Sequence, residues 1–394
     1  MVYLSLHSQS EQPTMTAPIE APVMGHCDPE FAAVREAFEA NFRERGERGA
    51  AVAVYRDGVK CVDLWGGWAD KAKTRLWAQD TIICMMSVGK GMAALCLWML
   101  ADRGALDMDA PVARYWPEFA GGGKAAITVR TLITGKAGLL FADAAPDGAG
   151  LDWEAMIRAY EVQVPEWEPG TDHGYHSFSA GYLLGELVRR IDGRRLERFF
   201  DEEVAQPLGA DYGYGTRGAP DGRVADVIPN PDSHTFVQTR DHSTKLGRAW
   251  RQRPPSDDPY NDAAYRQGVM PSSNGHGNAR SVAKVYAALA CGGSLDGVKL
   301  VSPAIVDAMR SEAWFGTCAM TDRVFRYGHG FFLNEPNMSP MGSNPGSFGH
   351  PGAGGALGFA DPENRISFGY SPSFMCAGGG LGERCAALSA AVYA

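Results

Sequence analysis

No extended run of lysine or arginine occurs in the chain, and acidic residues outnumber basic ones 46 to 37, giving a formal net charge of −9 at pH 7. A protein that grips phosphate backbones needs a basic face, so nucleic acid is excluded as an expected partner. C-x-x-C pairs are also missing. The eight cysteines (Cys27, Cys61, Cys84, Cys96, Cys291, Cys318, Cys376 and Cys385) are scattered, and Cys84 and Cys96 sit in apolar stretches. That usage argues against a disulfide framework and for a reducing compartment. No stretch approaches the ~20 apolar residues of a membrane span. The first apolar run, Val2–Leu6, has no basic residue before it, unlike a secretory signal. A cytoplasmic location with no membrane association is the expectation.

Several catalytic signatures are lacking as well. There is no G-x-S-x-G, which disfavours an α/β-hydrolase nucleophile elbow. There is no H-E-x-x-H, no ligand-like His/Cys set, no Walker loop and no G-x-G-x-x-G after a strand. Neither a metal nor a cofactor is expected.

What the chain does have is 394 residues with 45% hydrophobic and 21% charged positions, an ordinary globular composition long enough for roughly two domains. Asp28-Pro29 opens a helix over 29–45, with Phe31, Val34, Phe38 and Phe42 on one face. Runs 50–55 and 60–65 flank Arg56-Asp57-Gly58 and read as a hairpin. Strand candidates return at 328–333, 347–349, 356–361 and 366–370, before a last helix at 382–393. The middle reads as helices at 88–103, 124–135, 151–161, 178–192, 194–206 and 279–291, with weak periodicity over 211–278. Strand-rich ends around a helical middle predict an α/β domain from residues 24–82 and 293–394, with a mainly helical domain inserted at 83–292. Residues 1–23 read as a disordered or loosely packed leader, and the active site is expected between the two domains.

S-x-x-K occurs twice, as Ser87-Val88-Gly89-Lys90 and Ser281-Val282-Ala283-Lys284. Context separates the two. Ser87 follows Ile82-Ile83-Cys84-Met85-Met86 and starts a helix that is apolar on every side, hence buried. Ser87 and Lys90 share a face at i and i+3, and a lysine buried there without an acidic neighbour calls for an explanation. To act as a base near neutral pH it must lose roughly three units from ~10.4, which desolvation can supply and a helix terminus cannot. Lys284 lies on an ordinary amphipathic helix and can reach water.

A second constellation is Gly174-Tyr175-His176-Ser177, just before an apolar helix. Tyr175 either projects its hydroxyl into a cleft, where a cationic Lys90 favours phenolate, or anchors the loop with one hydrogen bond. The third is Phe348-Gly349-His350-Pro351-Gly352-Ala353-Gly354-Gly355. Such a glycine-rich strand either aims an N–H at an oxyanion or is a bulge without a ligand. His350 is open to three roles: proton shuttle, pocket wall or satisfied polar residue.

In this order the three motifs resemble those of the class C β-lactamase-like serine hydrolases, and within them the family VIII carboxylesterases. The likeness runs from about Met24 to Ala394. It includes Asp57-Gly58 before Trp65-Gly66-Gly67, the segments 102–107 and 110–119, and Pro271-Ser272-Ser273-Asn274-Gly275-His276-Gly277. The resemblance implies an α+β, serine β-lactamase-like two-domain fold, in which helices flank an antiparallel sheet and a mainly helical domain is inserted. It implies Ser87 as acyl-enzyme nucleophile, Lys90 as its activator and Tyr175 as general base, then activator of the deacylating water. The oxyanion hole falls to the N–H groups of Ser87 and Ala353, and Ser177, His350 and Gly352 fall to substrate binding.

The chain departs from the β-lactamases at two points. His350-Pro351-Gly352 replaces K-T-G, removing a permanent cation, and where related esterases often carry tryptophan this chain has His350. Ser177 stands where β-lactamases usually carry asparagine. The expected activity is hydrolysis of short- to medium-chain acyl esters, a small-molecule substrate class, with no cofactor. The alternatives are a β-lactamase or acyltransferase on the same scaffold, or a non-catalytic binding homologue. The sequence defines no oligomeric state.

Overall fold

A computed structural model describes residues 20–394. Most of the expected leader lies outside the described residues, and its last residue, Val23, already begins a strand, Val23–Cys27. That strand is one edge of a nine-stranded sheet. The spatial order is Val23–Cys27, Val59–Gly67, Gly49–Arg56, Ile366–Pro372, Leu357–Asp361, Phe348–Pro351, Phe332–Leu333, Val324–Tyr327 and Trp314–Thr317. Every neighbouring pair is antiparallel. The two chain ends therefore interleave, with Ile366–Pro372 hydrogen-bonded to Gly49–Arg56 across the middle. The hairpin reverses at Asp57 and Gly58, with φ of 51° and 79°, a left-handed pair that Asp-Gly accepts readily.

Helices cover the sheet. Ala279–Ala290, which a division at residue 292 assigns to the helical segment, packs on three central strands, and Ser367 Oγ donates to the Ala283 carbonyl at 2.7 Å. Ala32–Glu44 and Gly382–Ala391 pack on one another. Near them a buried ion pair joins Arg384 to Glu47 at 3.0 Å, and Glu47 also accepts from the Tyr370 hydroxyl. Each partner satisfies the charge that the other buries.

The helix Val88–Asp102 carries the site. Its residues from Val88 through Leu100 are all buried, as the all-round apolar pattern requires. Ala180–Asp192 packs along it, and strand Phe348–Pro351 crosses its first turn. Gly91 permits that crossing, because a Cβ there lies 3.1 Å from the Cβ of His350.

The region 211–278 contains two short paired strands, Tyr212–Tyr214 and Gly275–Gly277, and three short α-helices, His234–Gln238, Lys245–Trp250 and Ala263–Gln267. The helix expected over 194–206 forms only at Leu196–Phe200 and then widens into a π-turn, Asp201–Ala205. That expected at 124–135 shortens to Val129–Ile133, capped by Thr128 Oγ1, which accepts from the Thr131 N–H. No helix among the described residues is long and apolar enough to cross a membrane.

Candidate active site

Ser87 follows an abrupt turn. The chain leaves the short strand Ile83–Cys84, and Met86 adopts φ of +50°, a conformation costly for a non-glycine residue. The Met85 N–H is tied to the Gly275 carbonyl at 2.8 Å, and the Val88 N–H returns to Met85 O at 3.2 Å. The turn delivers Ser87 to the N-terminus of the buried helix, only 8% exposed. Lys90, one turn on, is 2% exposed. Its Nζ lies 2.7 Å from Ser87 Oγ and donates to the Ser272 carbonyl at 2.6 Å. No carboxylate among the described residues reaches it, and burial holds its ammonium well below the ordinary value.

The carbonyl facing Lys90 is held by its neighbours. Ser272 Oγ accepts from the Gly181 N–H and donates to the Phe178 carbonyl, each at 2.6 Å. The Asn274 amide donates to the carbonyls of Tyr265 and Gly268, at 2.9 and 2.7 Å. Sequence reasoning matched this segment to a family without giving Ser272 a role, since a backbone acceptor leaves no trace in residue type.

Tyr175 stands beside the pair, its ring centroid 5.0 Å from Lys90 Nζ. Burial pushes its phenol up, while the Ser87 hydroxyl alongside works the other way. The resting group is a neutral phenol rather than a phenolate. Ser177 lies on the same loop and its Oγ accepts from Trp250 Nε1 at 2.8 Å.

Gly352 and Ala353 pass beneath the nucleophile turn. A Cβ on Gly352 meets the Met85 carbonyl oxygen at 2.3 Å, so only glycine fits there. The N–H groups of Ser87 and Ala353 donate to no acceptor among the described residues. Both residues line the same cleft, and two free backbone donors are what a developing oxyanion needs.

His350 sits elsewhere. It is fully buried behind Tyr175, with ring centroids 6.0 Å apart, and edge-on to Phe332 at 5.2 Å. Nδ1 lies 2.8 Å from the Pro351 carbonyl. Burial, reinforced by Lys90, pushes its pKa down to about 3, so the imidazole is neutral. It supports the cleft wall from behind and does not line the cleft.

Ser87, Tyr175, Ser177, Gly352 and Ala353 all line one cleft that opens to solvent. Met86, Leu246, Trp250, Phe325, Phe332 and Met338 make its walls largely apolar. Behind Lys90 and Tyr175 lies a second, much smaller hollow, lined by His173 and His176 among others. Both imidazoles are held neutral by burial, with pKa values lowered to about 3 and about 4. The sequence places both histidines beside Tyr175, which is the signal that flags them.

A buried serine–lysine pair, a tyrosine beside it and two backbone donors are the groups that a serine-hydrolase type of centre requires. Residues 34–373 match the Beta-lactamase family, and the chain belongs to it. The chain is 34% identical over 360 residues to the esterase/beta-lactamase LipL of Mycobacterium tuberculosis (strain ATCC 25618 / H37Rv), covering 88% of this chain and 82% of LipL. Among solved structures, a family VIII carboxylesterase superposes with a TM-score of 0.86 at 38% identity, covering 94% of this chain and 99% of the other. A penicillin-binding protein homologue from Caulobacter crescentus gives 0.83 at 36%, with the same coverage. The fold is thus the α+β β-lactamase-like fold, and the protein is a serine hydrolase of that family.

Proposed function

We propose that the protein is a serine carboxylesterase that hydrolyses short- to medium-chain acyl esters through an acyl-enzyme on Ser87. The observation that carries this reading is the desolvated Lys90 amine, without a carboxylate partner among the described residues, 2.7 Å from the hydroxyl of Ser87, which lines an apolar cleft. The free amine accepts the Ser87 proton as Oγ attacks the ester carbonyl, and the Ser87 and Ala353 N–H groups receive the negative oxygen. The Tyr175 phenol, kept protonated by burial, gives its proton to the departing alkoxide and regains one from the Lys90 ammonium. A water then attacks the acyl-enzyme and Lys90 takes its proton. That proton returns to Ser87 Oγ as the carboxylic acid leaves.

Esters are favoured over β-lactams because His350 is neutral and buried, so no cation stands in the lysine position of K-T-G. The eight unpaired thiols support a cytoplasmic setting. The test compares p-nitrophenyl butyrate with nitrocefin on one preparation. Butyrate turnover exceeding nitrocefin turnover by orders of magnitude is expected, and comparable rates overturn the preference for esters.

The mechanism also fixes the pH dependence. Lys90 works as the free base, so kcat/KM rises with pH through its depressed ionisation and then stays level. His350 and His176 titrate near 3 and 4 and contribute no limb at neutral pH. The raised Tyr175 phenol adds no loss below about pH 9. A stopped-flow profile with a single acid limb is expected, whereas an alkaline fall between pH 7 and 9 contradicts a free-amine base.

A further inference from the structure

One residue in the lining of the Ser87 cleft is charged, Arg323. It closes a turn before strand Val324–Tyr327, with its carbonyl accepting the Cys318 N–H at 2.8 Å. Its guanidinium forms no salt bridge and donates no hydrogen bond among the described residues, and the titratable side chains nearest it are the thiols of Cys318 and Cys376. The adjacent acid, Asp322, is committed to Lys245 at 3.3 Å. Three other arginines that are largely buried each have an acid partner: Arg384 with Glu47 at 3.0 Å, Arg266 with Asp226 at 2.9 Å, and Arg280 with Asp63 at 3.0 Å.

Two further features surround Arg323. Thr321 lines the same cleft, and its Oγ1 is buried without a partner. Gly379 and Gly380 let the guanidinium lie against bare backbone, since a Cβ on Gly379 meets Nη1 at 2.7 Å and one on Gly380 meets Nη2 at 3.1 Å. Burial holds the guanidinium below its ordinary value, yet an arginine stays charged. An unpaired, partly desolvated cation is costly unless something supplies its counter-charge.

We propose that the substrate supplies it: the cleft accepts esters that carry a carboxylate, held by the Arg323 guanidinium with the Thr321 hydroxyl beside it. This rests on the esterase reading and names the substrate class of that site. Arginine suits the task, because its planar fork of N–H donors matches a carboxylate.

The carboxylate belongs either to the acyl group or to the alcohol, and two pairs of substrates separate these cases. On the acyl side, the mono-p-nitrophenyl ester of succinic acid is compared with p-nitrophenyl pentanoate. On the alcohol side, the butyrate ester of para-hydroxybenzoic acid is compared with that of its methyl ester. Within each pair, the charged-to-neutral ratio of kcat/KM in Arg323→Gln is divided by that of the unmodified protein, which cancels differences in leaving group and in overall folding. One ratio is expected to fall roughly 10- to 100-fold, mainly through KM, with Arg323→Lys between the two. A change below about threefold in both pairs overturns the proposal.

A binding measurement keeps this separate from the esterase reading. Monomethyl glutarate is expected to raise the melting temperature of Ser87→Ala but not of Ser87→Ala combined with Arg323→Gln. If no ester is turned over by the unmodified protein, the esterase reading fails, while this Arg323-dependent shift still supports the anion site. Equal shifts in both variants count against it.

Discussion

Ser87→Ala is expected to lower turnover of p-nitrophenyl butyrate by on the order of 10^4- to 10^6-fold, the loss seen when the nucleophile of a coupled catalytic group is removed. The neighbouring hydroxyls offer no substitute. Ser272 Oγ is committed to Phe178 and Gly181, and Ser177 Oγ is engaged by Trp250. Neither has the Lys90 amine at 2.7 Å, as Ser87 does. Removing one oxygen from a packed turn leaves the fold intact, so an unchanged circular dichroism melt must accompany the loss. Activity within tenfold of the unmodified protein means the nucleophile is another residue.

Lys90→Met and Lys90→Arg are expected to remove at least about 10^3-fold of activity, because neither side chain takes a proton near neutral pH. Their stabilities separate them. Burial lowers the Lys90 pKa, so at pH 7 the unfolded chain holds a proton that the folded chain does not. The contribution of this residue to stability therefore rises with pH from the depressed folded value to the ordinary ~10.4, and at pH 7 the buried amine still costs stability. Methionine removes that cost at similar volume, offsetting the two hydrogen bonds lost, so Lys90→Met should melt no lower than the unmodified protein. Lys90→Arg forces a permanent cation into the same space and should melt several degrees lower. A Lys90→Met variant that keeps its activity would sink the base assignment.

Much of this arrangement was legible in the residues. The all-round apolar helix marked the first S-x-x-K as buried, and its Ser87 Oγ and Lys90 Nζ do meet at 2.7 Å. Asp57-Gly58 marked the hairpin through backbone chemistry that few other pairs satisfy. The edge strands were not legible. Val23–Cys27 and Trp314–Thr317 are largely exposed, and Phe315 is among the most solvent-facing large apolar side chains, so no core-facing alternation marks them. Edge strands bury too little to leave a period-two signal.

Side-chain destinations were the other limit. His350 follows a glycine in an apparent ligand strand, yet its ring turns inward against Phe332 and Tyr175. Tyr175 was expected to gain phenolate character from a cationic Lys90. The structure desolvates both groups, which neutralises the lysine and keeps the phenol protonated. Arg323 gave no sequence signal, since what sets it apart is that no carboxylate among the described residues pairs with its guanidinium.

The most direct test of the central claim is the mass of the enzyme during turnover. Rapid acid quenching with a slowly hydrolysed p-nitrophenyl ester, followed by peptide mapping, should find one acyl group per chain, on the peptide that contains Ser87 and absent from Ser87→Ala. An acyl group on any other residue, or burst-free turnover with no adduct, contradicts the account.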